Sequence, residues 1–398
     1  MKPKKVMVVL GTRPEVIKLA PLVLALEADP RYHLCTVFSG QHKDMALPMM
    51  EWFGIKPHHT LDVMAPKQPL AFLSGKLLSG LHTLLEAEKP DVMMVQGDTT
   101  TAFIAALNAY YAYDYYVRNE VDTAHGRHTC QIAHIEAGLR TGNNYAPFPE
   151  EVNRKLIGHM AHWHFAPTAT AAEALFAENI TENVFITGNT GIDALHLTTA
   201  RLKANPRPLP AGIPTGKPYI LITGHRRENY GEGFQHIIQA IQTLATRYPH
   251  INLVYPVHLN QHVRGPVMSQ LGNIPNVILC EPQPYEDFVN LMQHSFFILT
   301  DSGGVQEEAP SLHKPVLVMR DVTERPEAVT AGALRLVGTN AEAIISNAVD
   351  LLDNPATYAA MSNIANPYGD GHATTRILNL LHGEAVDANT FSPTLKAA

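Results

Sequence analysis

Eleven short apolar runs, separated by amphipathic helical stretches, constrain the fold of this chain more than any other feature of its sequence. Five of them lie at residues 6–10, 33–38, 91–96, 131–136 and 162–167. The other six lie at residues 219–223, 251–257, 276–280, 296–300, 315–319 and 334–338. Continuous apolar strands that alternate with helices are typical of parallel sheets covered by helices on both faces. We therefore predict an α/β fold.

The length of the chain predicts more than one domain. A chain of 398 residues is long for a single hydrophobic core, so two domains are expected. The predicted strands fall into two groups on either side of residues 188–216, which predicts two Rossmann-like domains. Ligands of open parallel sheets bind beyond the carboxyl ends of the strands, so we expect the active site in the interdomain cleft.

Composition excludes several classes of protein. The formal net charge of −7 argues against broad nucleic-acid binding, which needs a basic face. The three cysteines, Cys35, Cys130 and Cys280, are too far apart for a zinc motif and fit no disulfide framework. The apolar run Val6–Leu10 is too short for a signal peptide, and no run approaches the ~20 residues that span a bilayer. We expect a cytoplasmic protein without a membrane partner.

Residues 297–308 read FILTDSGGVQEE and suggest an anion site. An apolar strand ends in a glycine-rich turn, and a helix-compatible stretch begins directly after Gly304. Such a turn points free backbone N–H groups at an anion, and paired glycines let the backbone approach a diphosphate. Glu308, one turn into the helix, could then reach a ribose. The alternative is an ordinary strand-to-helix turn in which Ser302 caps the helix.

The end of the first predicted strand has a similar character. It is followed by Gly11–Glu15, with Arg13 in the turn and Lys18 one helical turn later. Cations at a helix N-terminus oppose the helix dipole, so their presence there suggests an anionic ligand. A solvated pair of side chains is the alternative.

Three carboxylates are predicted near the same edge of the first sheet. Asp98 follows the strand at 91–96, Glu136 closes the strand at 131–136, and Glu150 begins a helix after a proline-rich turn. Arg140 is the expected partner of Glu136, since a buried carboxylate needs one, and Arg154 shares a helical face with Glu150. Each carboxylate alone could be structural. Together they suit proton transfer at carbon, which requires a base and an acid.

The second half contributes His225 after its first strand, at the start of a segment reading HRREN. A histidine followed by two arginines at a strand end could stabilise a departing diphosphate.

Tyrosines cluster at residues 110–116, within the segment 110–128. Stacking on nucleic-acid bases is one interpretation. A helix end and surface loop are favoured, because the surrounding chain lacks a basic stripe.

Several long motifs resemble the non-hydrolysing UDP-N-acetylglucosamine 2-epimerases of bacteria. They are GTRPEVIKLAPL (11–22), QGDTTTAF (96–103), HIEAGLRTG (134–142), PFPEEVNR (147–154), FITGNTGIDAL (185–195), TGHRREN (223–229), YPVHLN (255–260), LTDSGGVQEEAPSLHKPVLVMRDVTERPEAV (299–329) and NPYGDGHA (366–373). The resemblance implies a GT-B-type architecture. Residues 1–188 and 366–398 would form a domain with the catalytic carboxylates, and residues 189–365 a domain that binds UDP.

The resemblance also implies the reaction. UDP-N-acetylglucosamine and UDP-N-acetylmannosamine would interconvert by loss of UDP, formation of 2-acetamidoglucal and re-addition of UDP, supplying surface polysaccharide precursors. The residues implied for this chemistry are Asp98, Glu136, Glu150, Arg154 and His225. No metal or other cofactor is implied, and a homodimer is expected.

Binding residues are implied in the same way. Those implied for the UDP phosphates and ribose are Arg13, Lys18, Ser302, Gly303, Gly304, Glu308 and Arg325, whereas Gln283 and Phe288 fall where the family holds uracil. Residues matching a second site, through which substrate activates family members, are Gln41, His42, Arg226 and His258.

One departure from the family is the stretch between Asn108 and Gln131, which is longer than expected. Three other functions fit parts of the pattern: a GT-B glycosyltransferase, an epimerase that releases free sugar by hydrolysis, and a UDP-sugar sensor without catalytic activity.

Overall fold

Two separate parallel sheets are the framework of this chain. The structure, a computed structural model, describes residues 2–392 except 66–67, 127, 211, 214–215, 225 and 227–228. The residues up to Ala194, together with Gly369–Ser392, form a first unit, and Leu195–Tyr368 form a second. The predicted α/β class with two parallel sheets is confirmed.

The first sheet has seven strands. They are β1 (Lys4–Leu10), β2 (Tyr32–Phe38), β3 (His59–Thr60), β4 (Val92–Gln96), β5 (Gln131–Ile135), β6 (Trp163–Ala166) and β7 (Val184–Ile186). The helices that accompany them are α1 (Arg13–Ala28), α2 (Lys43–Phe53), α3 (Leu70–Glu88), α4 (Thr100–Arg118), α5 (Glu150–Met160), α6 (Ala169–Ala177) and α7 (Thr190–Ala204). The strands pair in the order β3-β2-β1-β4-β5-β6-β7.

The second sheet has six strands. They are β8 (Tyr219–Thr223), β9 (Asn252–Pro256), β10 (Val277–Cys280), β11 (Ile298–Thr300), β12 (Val316–Val318) and β13 (Leu334–Leu336). The remaining α-helices are α8 (Glu232–Arg247), α9 (Gln261–Leu271), α10 (Tyr285–His294), α11 (Gly303–Glu308), α12 (Pro326–Thr330), α13 (Ala341–Asp353), α14 (Pro355–Ser362) and α15 (Ala373–His382). The strand order is β10-β9-β8-β11-β12-β13.

Both sheets reverse their chain order beside their first strand. Strand β1 lies between β2 and β4, and β8 lies between β9 and β11. A reversal of this kind opens a crevice at the carboxyl ends of the two central strands, where ligands of open α/β sheets bind. The loops after β1, β4, β8 and β11 therefore border the crevices, and these loops carry many of the predicted site residues.

Apolar spacing explains how α3 packs. Its buried leucines recur every four residues, at Leu73, Leu77, Leu81 and Leu85, and so form one stripe along the helix. The stripe packs in the same hydrophobic core as the side chains of β1, β2 and β4. Helix α3 is thereby fixed against one face of the first sheet.

The whole tyrosine cluster lies on α4. The rings of Tyr110, Tyr111 and Tyr113 are exposed, as expected for a surface helix. The prediction is wrong for Tyr116, which is completely buried and donates its hydroxyl to the carbonyl of Pro90 at 2.8 Å. One tyrosine of the cluster is therefore a core residue.

Two expectations about the whole chain can be compared with this fold. Within the described residues, no helix combines the length and apolar character needed to cross a membrane. The thiols of Cys35, Cys130 and Cys280 are free, and the first two are buried.

Candidate active site

The turn between β1 and α1 is packed too tightly for any side chain at Gly11. A Cβ atom there would lie 2.3 Å from the Ser39 hydroxyl oxygen. The Glu15 carboxylate accepts the backbone N–H groups of Gly11 (3.0 Å) and Thr12 (2.7 Å) and the Thr99 hydroxyl (2.6 Å). Burial raises the pKa of Glu15 to about 7, although these hydrogen bonds lower it in part. Glu15 thus occupies two of the donors that an anion would use.

The two predicted cations of this turn have different surroundings. Arg13 is the first residue of α1 and is half-buried, and it forms no ion pair with any residue in the described part of the chain. Lys18 forms an ion pair with Glu136. Lys18 therefore lies beside one of the candidate catalytic carboxylates.

Asp98 lies in the turn between β4 and α4 and is held by Arg154. The guanidinium places Nε 2.7 Å and Nη2 2.6 Å from Oδ2 of Asp98. Burial lowers the pKa of Arg154, but the charges of Asp98 and Glu136 raise it by more, so the net shift is upward. Arg154 is therefore a permanent cation beside Asp98. Thr99 caps α4 by accepting the N–H of Ala102 at 3.0 Å.

Glu136 follows β5 in a left-handed backbone conformation with a φ of 64°. Its Oε2 accepts the side-chain amide of Gln96 at 2.6 Å, and its Oε1 pairs with Lys18. The predicted pairing with Arg140 is wrong, because Arg140 donates to Glu178 through Nε (2.8 Å) and Nη2 (2.7 Å). Glu136 is thus anchored at both oxygens by residues of β4 and α1.

The adjacent residues Glu150 and Glu151 at the start of α5 differ in their bonding. Glu151 is completely buried and accepts the N–H groups of Thr141 (3.0 Å) and Gly142 (3.1 Å) and Nη1 of Arg154 (3.1 Å). Among the described residues, Oε2 of Glu150 is buried and has no hydrogen-bond partner. Glu150 therefore has an oxygen available for a ligand, whereas Glu151 positions Arg154.

Sequence reasoning did not identify Glu15, Gln96 or Glu151. A signal for Glu15 was present, because Thr12-Arg13-Pro14-Glu15 has the spacing of a capping box. Nothing in the sequence distinguishes Glu151 from Glu150.

His134 is a further buried residue of this region. Its Nε2 donates to the carbonyl of Gly97 at 2.8 Å. Burial lowers the pKa of His134 to about 3, and the charges of His164, Arg140 and Arg154 contribute in the same direction. His134 is therefore a neutral residue that holds the turn before Asp98.

In the second unit, the turn after β11 brings Asp301–Gly304 together with Arg325. The N–H of Ser302 donates to the Thr300 hydroxyl at 2.9 Å, but the Ser302 side chain does not cap α11. Ser302 therefore occupies the N-cap position, as the alternative interpretation expected, but without the side-chain hydrogen bond of a cap. A Cβ atom on Gly303 would lie 2.7 Å from the central carbon of the Arg325 guanidinium.

Two glutamates hold Arg325 over this glycine. Glu307 lies 2.8 Å from its Nη2, and Glu324 lies 2.7 Å from its Nη1. Glu307 was not predicted as a site residue. The predicted ribose ligand, Glu308, is the next residue and is half-buried at the end of α11.

Other predicted residues of the second unit are more scattered. Gln283 lines a cavity of about 620 Å³ that also contains Arg264, Glu281 and Asp287. Phe288 is half-buried on α10 and does not line that cavity. His225 lies outside the described residues, so its predicted position remains a prediction.

The four residues of the predicted second site divide between the units. Gln41 follows β2 and accepts the hydroxyl (2.7 Å) and N–H (3.1 Å) of Thr101, while His42 precedes α2. Arg226 donates its backbone N–H to Asp301 at 2.8 Å, and His258 is an exposed residue after β9.

Comparisons with known proteins agree with this arrangement. A family model described as UDP-N-acetylglucosamine 2-epimerase matches residues 24–382. The UDP-N-acetylglucosamine 2-epimerase of Escherichia coli (strain K12) is 47% identical over 389 residues, which cover 96% of this chain and 99% of that protein.

Two solved structures are also similar. The crystal structure of UDP-GlcNAc 2-epimerase from Neisseria meningitidis bound to UDP-GlcNAc has a TM-score of 0.82 and 44% identity, covering 95% of this chain and 99% of that one. The S. aureus MnaA–UDP co-structure has a TM-score of 0.80 and 41% identity, covering 98% and 100% respectively. The predicted GT-B-type class is thereby confirmed. The chain belongs to the UDP-N-acetylglucosamine 2-epimerase family.

Proposed function

We propose that this chain interconverts UDP-N-acetylglucosamine and UDP-N-acetylmannosamine by elimination and re-addition of UDP. A base removes the proton from C2 of the sugar while the bond from C1 to the UDP oxygen breaks, which leaves a C1=C2 double bond in 2-acetamidoglucal. UDP then adds back to C1, and a proton returns to C2 on the opposite face. Two different protein groups are needed, because one group cannot serve both faces of the ring.

The observation that carries this proposal is the set of charged groups in the first unit. Arg154 holds Asp98, and Lys18 holds Glu136, so both carboxylates are paired with cations. Each cation fixes the position of its carboxylate, and a general base must be held within reach of the proton that it removes. Glu150 adds an oxygen that no described residue uses. Three carboxylates with different surroundings suit a reaction that removes and returns a proton.

The proposed UDP-binding residues in the second unit follow the glycine turn. The first N–H groups of α11 have no partner within the helix, Gly304 is exposed, and Arg325 supplies a guanidinium beside Gly303. Glu308 would bond the ribose hydroxyls, and Gln283 and Phe288 would contact uracil. Arg13 and Lys18 of the first unit would also contact the diphosphate. The relatives crystallised with UDP or UDP-GlcNAc support this choice of ligand.

Three further parts of the proposal rest on the family resemblance. His225 would stabilise the departing diphosphate. Gln41, His42, Arg226 and His258 would belong to a site through which substrate activates the enzyme. A cytoplasmic homodimer would supply the product to surface polysaccharide synthesis.

Incubation with UDP-N-acetylglucosamine in deuterated water tests the reaction. The proposal predicts UDP-N-acetylmannosamine that carries deuterium at C2, detected by NMR and mass spectrometry. A glycosyltransferase or a sensor gives no exchange, and a hydrolase releases free sugar. Either of those results would overturn the proposal.

Substitutions test the roles of the carboxylates. Asp98→Asn, Glu136→Gln and Glu150→Gln should each lower turnover by at least ~10²-fold, the usual contribution of a positioned acid or base. The matched control is Glu173→Gln, which changes an exposed glutamate on α6 of the same unit. Near-normal turnover in all three variants would make these carboxylates structural.

Calorimetric titration with UDP separates binding from chemistry. Arg13→Ala and Glu308→Ala should weaken UDP binding, because these side chains would contact phosphate and ribose. Asp98→Asn should change it far less, because Asp98 would face the sugar. Equal losses in all three variants would contradict this division of roles.

A further inference from the structure

A cluster of three potential metal ligands lies in the first unit, away from the residues discussed above. The Cys35 thiol, an imidazole nitrogen of His59 and a carboxylate oxygen of Glu88 all lie within 4.8 Å of one another. The three residues are 24 and 29 positions apart in the chain, so no sequence motif reveals them. We call them the Cys-His-Glu cluster.

Strand register explains why these side chains meet. Cys35 and Val37 are two residues apart on β2 and so point to the same face of the sheet. His59 on β3 pairs with Val37 in parallel register, which places it on that face too. Helix α3 packs on the same face and ends at Glu88.

The carboxylate of Glu88 is already oriented by its neighbours. Lys5 on β1 lies 2.6 Å from Oε2, and Nε2 of His59 lies 2.7 Å from Oε1. The hydrogen bond from Lys5 lowers the pKa of Glu88, so the group is ionised at neutral pH. Lys5 therefore fixes one oxygen and leaves the other directed at the histidine. An outer partner of this kind is typical of carboxylates that bind metals.

We propose that Cys35, His59 and Glu88 form a zinc-binding site, with water as the fourth ligand. A thiolate and an imidazole select zinc over magnesium or calcium, which prefer oxygen ligands. Ligand atoms in a tetrahedral zinc site are roughly 3.3–3.8 Å apart, given bonds of about 2.0–2.3 Å. The present separations require shifts of about 1 Å or less to reach that geometry.

Access and charge are compatible with the ion. Cys35 is buried, but the side chains of His59 and Glu88 are 32% and 25% exposed, so the ion and its water can enter from the solvent side. Zinc, a thiolate and a carboxylate sum to zero charge. The Lys5 ammonium is the nearby cation that opposes the metal, and with 25% exposure it stays partly hydrated.

The thiol must lose its proton when the metal binds. Burial and, to a smaller extent, the charge of Glu88 raise the pKa of Cys35 to about 11, although Lys5 partly opposes this. Each zinc ion bound should therefore release a proton, and zinc affinity should increase with pH.

The position of the site indicates a structural role. Lys5 is the second residue of β1, Cys35 is the middle residue of β2 and Glu88 lies shortly before β4, so the cluster does not reach the carboxyl ends of these strands. The candidate catalytic residues lie beyond the carboxyl ends. Zinc would join the two-residue edge strand β3 to the end of α3 without touching the substrate.

Titration of the untagged, chelator-treated chain tests the proposal. We expect one zinc ion per chain by calorimetry, and a charge-transfer band between thiolate and metal when Co²⁺ replaces zinc. Cys35→Ser and His59→Gln should each weaken zinc binding by at least ~100-fold, the upper end of what loss of an outer partner costs. The band is the decisive readout, because a chain with 21 histidines binds some zinc at its surface.

Cys280→Ser is the matched control, since Cys280 is a half-buried thiol of the second unit. It should keep both the band and the affinity. Zinc should raise the melting temperature of the wild-type chain and of Cys280→Ser but not of Cys35→Ser. Absence of the band in the wild-type chain, or its persistence in Cys35→Ser, would overturn the proposal.

Discussion

The adjacent residues Glu150 and Glu151 provide a test of the site geometry, because the same substitution should affect stability at one position and turnover at the other. Glu151→Gln should lower the stability of the first unit, whereas Glu150→Gln should lower turnover and leave stability equal or higher. The two variants differ from the wild-type chain by the same chemical change on the same helix. Any difference between them therefore reflects their surroundings.

The size of the effect at Glu151 follows from its three donors. The carboxylate accepts N–H groups from Thr141, Gly142 and Arg154. An amide offers a single acceptor oxygen and turns its NH₂ group towards the remaining donors. Hydrogen bonds to a charged group contribute roughly 1.5–3 kcal/mol each, so the loss of one and the weakening of the others should cost about 3 kcal/mol. For a unit of this size the melting temperature should fall by about 6–12 °C.

At Glu150 the same reasoning gives the opposite expectation. Its buried Oε2 has no partner among the described residues, so the native carboxylate already carries a desolvation cost. The neutral amide removes a charge without breaking a known bond, and stability should stay equal or rise.

The pH dependence provides a second readout. Burial raises the pKa of Glu151, but the N–H groups of Thr141 and Gly142 and the charge of Arg154 lower it by more, so the net shift is below the ordinary 4.5. A folded-state pKa below the unfolded value means that the stabilisation is complete above about pH 4.5 and is lost as the pH falls through the folded pKa. The difference in melting temperature between wild type and Glu151→Gln should therefore be complete at pH 7 and shrink in acid.

Calorimetric unfolding and steady-state turnover on both variants provide the measurement. If the melting temperatures of Glu151→Gln and Glu150→Gln at pH 7 differ by less than about 2 °C, Glu151 is not the residue that positions Arg154. This limit is about a third of the smallest expected shift.

Two further predictions concern other contacts of the site. Gly303→Ala should displace the Arg325 guanidinium, lower stability and weaken UDP binding, whereas Gly304→Ala, whose Cβ meets nothing within 4 Å, should leave stability unchanged. Thermal unfolding with and without UDP compares the two variants. Equal melting temperatures without UDP would contradict the contact between Gly303 and Arg325. Glu178→Gln should destabilise the first unit because it breaks the partly buried ion pair with Arg140. Turnover should stay within about threefold, since this ion pair lies away from the candidate carboxylates. A large loss of turnover at unchanged stability would instead place Arg140 in the active site.

The fold could be predicted from apolar runs alone wherever those runs were long enough. All eleven predicted strands are present, although several are shorter by one or two residues at an end. Two strands, His59–Thr60 and Val184–Ile186, were not predicted. A strand of two or three residues has too few positions for a hydrophobic pattern to emerge, and the register with neighbouring strands defines it instead.

The strand-end positions of two candidate carboxylates were also predictable, but the ion-pair partner of one of them was not. Strand ends locate Asp98 and Glu136, since carboxyl ends of parallel strands meet at one edge. The partner of Arg140 depends on the path of the chain after Glu136. Gly138 has a φ of 90° and lies so close to α6 that a Cβ would be 2.0 Å from the Ala171 carbonyl oxygen. The chain is thereby directed to α6, and Arg140 meets Glu178 instead of Glu136.

The two glycine-containing turns differ in the backbone donors that their helices offer. Both turns follow a central strand and precede a helix, and both were predicted to bind an anion. The first has glutamate at the third position of its helix, and Glu15 takes the N–H groups of Gly11 and Thr12. In the second turn the equivalent N–H groups also have partners, because Asp301 donates to the Thr223 carbonyl at 3.2 Å and Ser302 to the Thr300 hydroxyl at 2.9 Å. The first N–H groups of a helix have no partner within it. Gly303, Gly304 and Val305 each carry such an N–H, whereas Pro14 in the first turn of α1 has none. The diphosphate should therefore depend more on backbone donors in the second unit and more on the side chains of Arg13 and Lys18 in the first.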